Sequence, residues 1–552
     1  MKPPLNELYV GNPGFHFANA LNREAGRPAA WRQLYAMEGV KSPAQVAGDF
    51  AVAFRTPEDG VFMAVDRFAI RSLCYRRVGN TLLFAERADE LADASTEIDP
   101  QAIFDYFYFH CIPSPRTIFK GIYRVPPAHY VLFEKGVLTV APYWVPAFQE
   151  ERGASFETLR GEFLELLQAA TATQLDGSKP ACFLSGGTDS STVAGMIAKV
   201  AGEVSTYSIG FAAEGYDEME FARIAAKRFK TDHHEYYVTP DDLVRNIPKV
   251  AGHYDQPFGN SSALPAFSCA QMAREDGVSK ILAGDGGDEL FGGNSRYAKQ
   301  RMFDWYQSFP GVLRRGLMEP VLGMPISGKL PGIRKASSYV EQARAPMPDR
   351  LQMYNLIMRL GVDQVFAANF LAQVDLSSPL RHQQETWHQA NARSATNREL
   401  AYDWRYTLAE SDLPKVCGTT RLAEVDVGFP LLDTQLLEFS MRLPTNFKLK
   451  GLKLRWFFKE ALRGFLPDEI ITKKKQGFGL PFGVWLTKNA DLRALAEESV
   501  QGLADRGMLQ HAFVDALFGR HLKEHPGYYG EMIWISMMLE QWLRAWASRR
   551  EP

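Results

Sequence analysis

The chain has 552 residues, too many for one ordinary core, because single cores stop growing at roughly 250–300 residues; two domains or more are expected. Its 62 Lys and Arg against 64 Asp and Glu leave a net charge of -2, which excludes a nucleic-acid-coating or membrane-surface protein but allows a local basic pocket. Hydrophobic residues at 46% and charged residues at 23% are the balance of a globular protein in water. Five scattered cysteines (Cys74, Cys111, Cys182, Cys269, Cys417) form no CxxC pair. That argues against a disulfide framework or zinc ribbon and for a reducing, cytoplasmic location. The opening MKPPLNELYVGNPGFHF has no apolar signal region, and no stretch reaches the ~18 apolar residues of a membrane span.

Residues 1–148 read as a β-rich domain. Short apolar or alternating runs at 48–54, 61–66, 73–78 and 81–86 are punctuated by turn residues, notably Thr56 to Gly60 and Gly79-Asn80. The run 121–144 continues the pattern, with Glu134-Lys135-Gly136 as a hairpin signal. An amphipathic helix is expected over about 155–173, from Leu159, Phe163, Leu166 and Leu167. The texture then changes over 149–552. Strands at 181–184, 205–211, 233–238 and 280–283 alternate with helical patterns, predicting βαβ units and a parallel sheet with its ligand site at the strands' carboxyl ends. From Tyr297 onward the pattern is mostly helical, with an irregular Pro-rich connector around 310–348.

Ser185-Gly186-Gly187-Thr188-Asp189-Ser190-Ser191 follows the first of those strands and opens a helix. Glycines let backbone close around an oxyanion, hydroxyls donate to it, and the helix N-terminus adds its dipole. Asp189 cannot bind phosphate itself, but it can hold a Mg2+ that bridges phosphate oxygens. Gly284-Asp285-Gly286-Gly287-Asp288 supplies a second acid at another glycine-rich strand end. Neither segment fits GxxxxGK[ST] or GxGxxG.

The first loop resembles the pyrophosphate loop of enzymes that split ATP into AMP and pyrophosphate. The blocks TYSIGF, KILAGDGGDELFGGNSRY, VGFPLLDTQLLE and KKKQGFGLPFGVW follow in the order seen in asparagine synthetases. The resemblance implies an α/β protein: a degenerate, Ntn-type (αββα-like) N-terminal domain, then a PP-loop domain of the adenine-nucleotide α-hydrolase type with many helices. It implies ATP and Mg2+ as cofactors, Ser185 to Ser191 with Gly284, Gly286 and Gly287 as the pyrophosphate cradle, and Asp189 and Asp288 as metal carboxylates. Ile209 and Gly210 would sit on the strand that reads adenine. Lys475 matches the lysine that steadies charge on the adenylate and the tetrahedral intermediate, and Arg455 and Lys459 match two basic residues at i, i+4. Asp285 is the candidate to orient or deprotonate the attacking amine, where β-lactam synthetases carry Tyr.

The chain also departs from the family. Lys2 follows Met1, so no cysteine becomes N-terminal, and few residues precede Gly48; the glutaminase chemistry is expected to be lost while the domain survives as structure. Gln256, Asn260, Cys417, Gly418, Asp426 and Gly428 replace usual family residues near the expected acceptor pocket, suggesting a different acid and amine. The resemblance then points to amide synthesis without glutamine hydrolysis. The first reading is the lasso-peptide macrolactam (isopeptide) cyclases, with a precursor peptide as substrate and a cysteine protease as partner. An ammonia-using asparagine synthetase, a secondary-metabolite or β-lactam-type synthetase, and a non-catalytic binding protein stay open.

Overall fold

The structure is a computed structural model, and it describes residues 6–15, 26–151, 153–213, 215–308, 310, 339–473 and 479–550. The N-terminal half is built from strands β1 (Leu8–Gly11), β2 (Phe50–Arg55), β3 (Val61–Val65), β4 (Cys74–Val78), β5 (Thr81–Ala85), β6 (Ile122–Arg124), β7 (His129–Glu134) and β8 (Val137–Pro142). One antiparallel sheet runs β1-β2-β3-β7-β8 and a second runs β5-β4-β6. The β7–β8 hairpin turns at Lys135 and Gly136, both with positive φ, as the Glu134-Lys135-Gly136 signal predicts.

Period-2 alternation explains the layering. In β2, Ala51 and Ala53 face the second sheet and share a core with Tyr75, Leu82 and Phe84. Phe50, Val52 and Phe54 face the other way, onto Trp31 and Leu34 of helix α1 (Gly26–Glu38). The outer face of the second sheet (Cys74, Ala85, Ile122) is covered by helix α2 (Pro100–Phe109) together with residues of the C-terminal half such as Tyr254 and Trp542. The αββα-like layering is therefore completed by the other half of the chain. Neither α1 nor α2 stands out in a β-rich reading. Helix α2 does carry a start signal, an Asp99 N-cap accepting from the Gln101 amide with Pro100 at the first position.

The C-terminal half opens with helix α3 (Phe156–Gln174), capped by Ser155. Strands β9 (Ala181–Phe183), β10 (Ser205–Phe211), β11 (Asp232–Val238), β12 (Lys280–Leu282) and β13 (Asp426–Gly428) form an all-parallel sheet in the order β11-β10-β9-β12-β13. The order reverses at β9, so the crevice at the carboxyl ends of β9, β10 and β12 is where a ligand belongs. Four of these strands are legible in the sequence. The fifth, β13, has three residues inside a run otherwise read as helical, too short for periodicity to announce.

Helix α4 (Thr188–Ala201) follows β9 and α5 (Met219–Phe229) follows β10. A nine-residue π-helical stretch, Trp404–Asp412, runs into helix α6 (Leu413–Leu422); π-turns are rare and concentrate at functional sites. Arg455 precedes helix α7 (Trp456–Ala461) in the left-handed conformation, φ 54°, so it caps that helix rather than riding on its face with Lys459. Among the described residues, no helix is long and apolar enough to cross a membrane.

Candidate active site

The carboxyl ends of β9, β10 and β12 open into a cleft of about 1020 Å³ lined by Ser185, Gly187, Thr188, Asp189, Ser190, Ile209, Gly284, Asp285, Gly286 and Asp288. Its floor is the loop from β9 into α4. The Ser185 and Gly187 amides donate to Ser190 Oγ (3.1 Å) and Ser185 Oγ (3.3 Å), and the two serine hydroxyls lie 3.1 Å apart. This net holds the α4 N-terminus toward the cleft. Gly186 has φ +70° and backs onto α5, where a Cβ would lie 2.6 Å from Phe221 Cβ. Gly284 brings the β12 loop onto the first turn of α4, 2.7 Å from where its own Cβ would be to Ser190 N. Both glycines are required by close approach of backbone.

Not every cradle residue reaches the cleft. Ser191 is buried in α4, and its Oγ has no hydrogen-bond partner among the described residues. Gly210 turns toward the β11 side, where a Cβ would meet the Tyr237 ring at 2.6 Å; its neighbour Ile209 lines the cleft. Gly287 sits behind Asp189, and a Cβ there would collide with the Asp189 carboxylate.

Asp189 and Asp288, 99 positions apart in sequence, converge on one guanidinium. Arg455 Nη1 lies 3.0 Å from Asp189 Oδ2 and 2.6 Å from Asp288 Oδ1, and Nη2 pairs with Asp189 Oδ1. The Arg455 side chain is buried, with its guanidinium over the Phe458 ring. Glycine makes the room, since a Cβ at Gly293 would overlap Asp288 Oδ1. Two convergent carboxylates with no Cβ crowding them are hard oxygen donors of the kind Mg2+ takes one or two of, leaving its other positions to water and phosphate. Their donor set suits the ion, with Arg455 paired to the same oxygens. Lys459 also faces the cleft, its pKa lowered by burial and by the Arg455 charge, with Asp288 opposing.

Lys475, with Lys474 and Gln476 to Phe478, lies outside the described residues. Lys473 of the same run is inside the cleft, 2.9 Å from Glu218 Oε1 and stacked over Phe221. Sequence reasoning passed over it because the family resemblance placed the lysine's role on Lys475.

Asp285 lines the cleft, and burial raises its pKa against the lowering influence of Lys415. Lys415 Nζ lies 3.7 Å from Asp285 Oδ1 and 3.0 Å from Asp412 Oδ1. Burial would strip its charge, but Asp412 and Asp285 outweigh burial and hold its pKa above the ordinary lysine range. Nearby Glu289 has its pKa pushed well up by burial and by Asp288 and Asp412.

The residues read from sequence as substrate-side departures do not line this cleft, which corrects that expectation. Gln256 is buried between the halves, accepting from the Ile118 amide (3.3 Å) and donating to the Ile112 carbonyl (3.3 Å). Asn260 bonds Ser411 Oγ and the Ser262 amide. Cys417 and Gly418 are on the back of α6, facing a cavity of about 110 Å³ between the halves. Gly428 yields its side-chain space to Gln174, whose Oε1 lies 2.5 Å from a built Cβ, and Asp426 is exposed at the start of β13. Apart from exposed Asp426, these residues sit in contacts between elements rather than at the cleft.

Comparison with known proteins agrees with this geometry. Residues 162–544 match the asparagine synthase family model and residues 32–144 the glutamine amidotransferase domain model. The chain is 24% identical over 471 residues to asparagine synthetase [glutamine-hydrolyzing] 1 of Bacillus subtilis, covering 83% of this chain and 72% of that protein. It is 24% identical over 524 residues to a putative asparagine synthetase of Mycobacterium bovis (90% and 76% covered), and 30% identical over 290 residues to one of Methanocaldococcus jannaschii (50% and 54%). With a PP-loop sheet, a cleft at its switch point and a family match over most of its length, the chain belongs to the asparagine synthase family and is an ATP-dependent ligase that forms carbon–nitrogen bonds.

Proposed function

We propose that this ligase adenylates a carboxylate and couples it to an amine supplied by the substrate itself, without hydrolysing glutamine. Acid and amine belong to one precursor peptide, which the enzyme closes into the macrolactam (isopeptide) ring of a lasso peptide. The carrying observation is the single cleft that holds both a phosphate loop and a separate carboxylate–lysine cluster. ATP lies with its phosphates on the Ser185 to Ser190 loop, at the α4 N-terminus, and its base against Ile209. Asp189 and Asp288 would hold Mg2+, which when bound neutralises charge on the departing pyrophosphate. Arg455 and Lys459 add fixed positive charge on the same side. Lys475 is assigned the tetrahedral intermediate, and Asp285 takes the proton from the attacking amine.

Two observations speak against glutamine as nitrogen source. Burial pushes the Cys74 and Cys111 thiols up to about 11 and about 12. Neither has the free α-amine that serves as base at an N-terminal nucleophile. The Asp66–Arg71 turn also has its polar groups committed internally. Asp66 accepts from the amides of Phe50, Phe68, Ile70 and Arg71; Arg67 donates to two carbonyls; Arg71 pairs with Asp49 at 2.6 Å. A peptide substrate suits a cleft at the upper end of the size range for small-molecule sites. A free peptide amine implies a cysteine protease partner that removes the leader, in a reducing cytoplasm where all five thiols stay unpaired.

The test is incubation with ATP, Mg2+ and a core peptide carrying an Asp or Glu side chain and a free N-terminus. Loss of one water from the peptide, with AMP rather than ADP formed and no glutamate released from glutamine, supports the reading. Asparagine made from free aspartate and ammonia, with the peptide untouched, overturns it.

A further inference from the structure

The cleft contains a charge cluster separate from the nucleotide side. Asp285 is three residues before Asp288 but pairs with a different cation, Lys415, which Asp412 also holds. The cluster is delivered with care. Asp412 ends the π-helical stretch, and Lys415 follows in the first turn of α6. The back of that turn is clamped by Tyr254, whose hydroxyl donates to the carbonyls of Pro414 (3.4 Å) and Lys415 (3.2 Å). The Tyr254 ring lies where a side chain at Gly418 would be, and its own carbonyl accepts from Trp542 Nε1 at 3.0 Å. A lysine serving only solubility needs no such clamp.

We propose that Lys415, fixed by Asp412 in front and Tyr254 behind, is a positioning residue for the amine half-reaction. It holds the Asp285 carboxylate where that group meets the attacking nitrogen. Lys415 stays an ammonium between two carboxylates, so it cannot take the proton itself. In the step, the amine nitrogen bonds to the acyl carbon, the bond from that carbon to the AMP oxygen breaks, and AMP leaves with the electron pair. One N–H proton passes to an Asp285 oxygen. With two carboxylates and one ammonium, the cluster keeps a negative excess that draws in a protonated amine, whose first proton is released to solvent before the attack and whose second is the one Asp285 takes.

This assignment rests on the adenylate-forming reading, and the experiment separates the two. Acid-dependent exchange of pyrophosphate into ATP reports adenylation; amide formation reports both halves. L-aspartate, L-glutamate and a core peptide with an Asp or Glu side chain and free N-terminus serve as acids. In Lys415→Met the ratio of amide formation to exchange falls about 100-fold, the scale of a lost proton acceptor. Lys415→Arg recovers most of that ratio, and hydroxylamine, an amine largely unprotonated at neutral pH, restores acyl transfer in Lys415→Met. An unchanged ratio in soluble, folded Lys415→Met overturns the assignment, as does a deficit that hydroxylamine and Arg both fail to relieve. Absence of exchange in the unaltered enzyme with every acid overturns the adenylate reading itself.

Discussion

At position 256 an amide does what a carboxylate cannot. Gln256 both accepts from the Ile118 amide and donates to the Ile112 carbonyl, in a site with almost no solvent. A carboxylate would leave the carbonyl unpaired and bury a charge. Gln256→Glu is therefore expected to cost about 1–3 kcal/mol, read as a lower thermal midpoint, with pyrophosphate exchange of the folded fraction unchanged. The reverse holds at Asp189 and Asp288. Asp189→Asn or Asp288→Asn should lower exchange by about 100-fold or more, the scale of losing a charge-stabilising group, and make it less responsive to Mg2+ in a titration. These two acids were legible because each sits in a glycine-rich segment after an apolar strand. Arg455 was not legible as their partner, nor Lys415 as the partner of Asp285 and Asp412. Arg455 reaches the carboxylates only because its own backbone turns left-handed, and Lys415 only because a π-turn aims α6 into the cleft.

Between elements, several of the contacts that position the site run through glycines. Gly186 carries φ +70° and abuts α5, so an alanine there meets both a disfavoured backbone region and the Phe221 side chain. Gly186→Ala is expected to push α4 and α5 apart. The outcome is weaker ATP binding by at least about tenfold, measured by calorimetry, with a destabilisation of about 1–3 kcal/mol. Most strands could be read directly, since β2, β3, β7 and β10 show alternation or continuous apolar runs of five residues or more. What escaped depends on partners distant in sequence. Helix α2 finds its neighbours Phe366 and Ile535 hundreds of residues later: Phe107 packs on Phe366 at 5.1 Å and Tyr106 donates to the Ile535 carbonyl at 2.8 Å. Strand β13 exists because β12 offers it an edge.

In the whole molecule, the N-terminal half acts as a wall of the synthetase half. Phe119 packs on Trp542 and Trp546 of the C-terminal helix Pro526–Ser548, and Arg124 Nη2 reaches Asp255 Oδ2 at 2.6 Å, with the Ala88 amide on the same oxygen. Arg124→Met leaves Asp255 buried without its ion-pair partner, with only the Ala88 amide and the more distant Arg87 charge to compensate, and should cost about 3 kcal/mol, seen as a lower thermal midpoint at neutral pH. The same pair makes the union of the halves sensitive to acid. Burial alone would raise the Asp255 pKa, but Arg124 and Arg87 outweigh it and hold the folded value below the ordinary one. A carboxylate with a depressed folded pKa contributes stability above its unfolded pKa, about 3.9, and loses it as pH falls toward the folded value. The thermal midpoint should therefore fall between about pH 5 and pH 3, and the fall should be shallower in Asp255→Asn, which starts lower at neutral pH but has no proton to gain. An equally steep fall in Asp255→Asn would place the acid-sensitive contact elsewhere and leave the interface held by its apolar core alone.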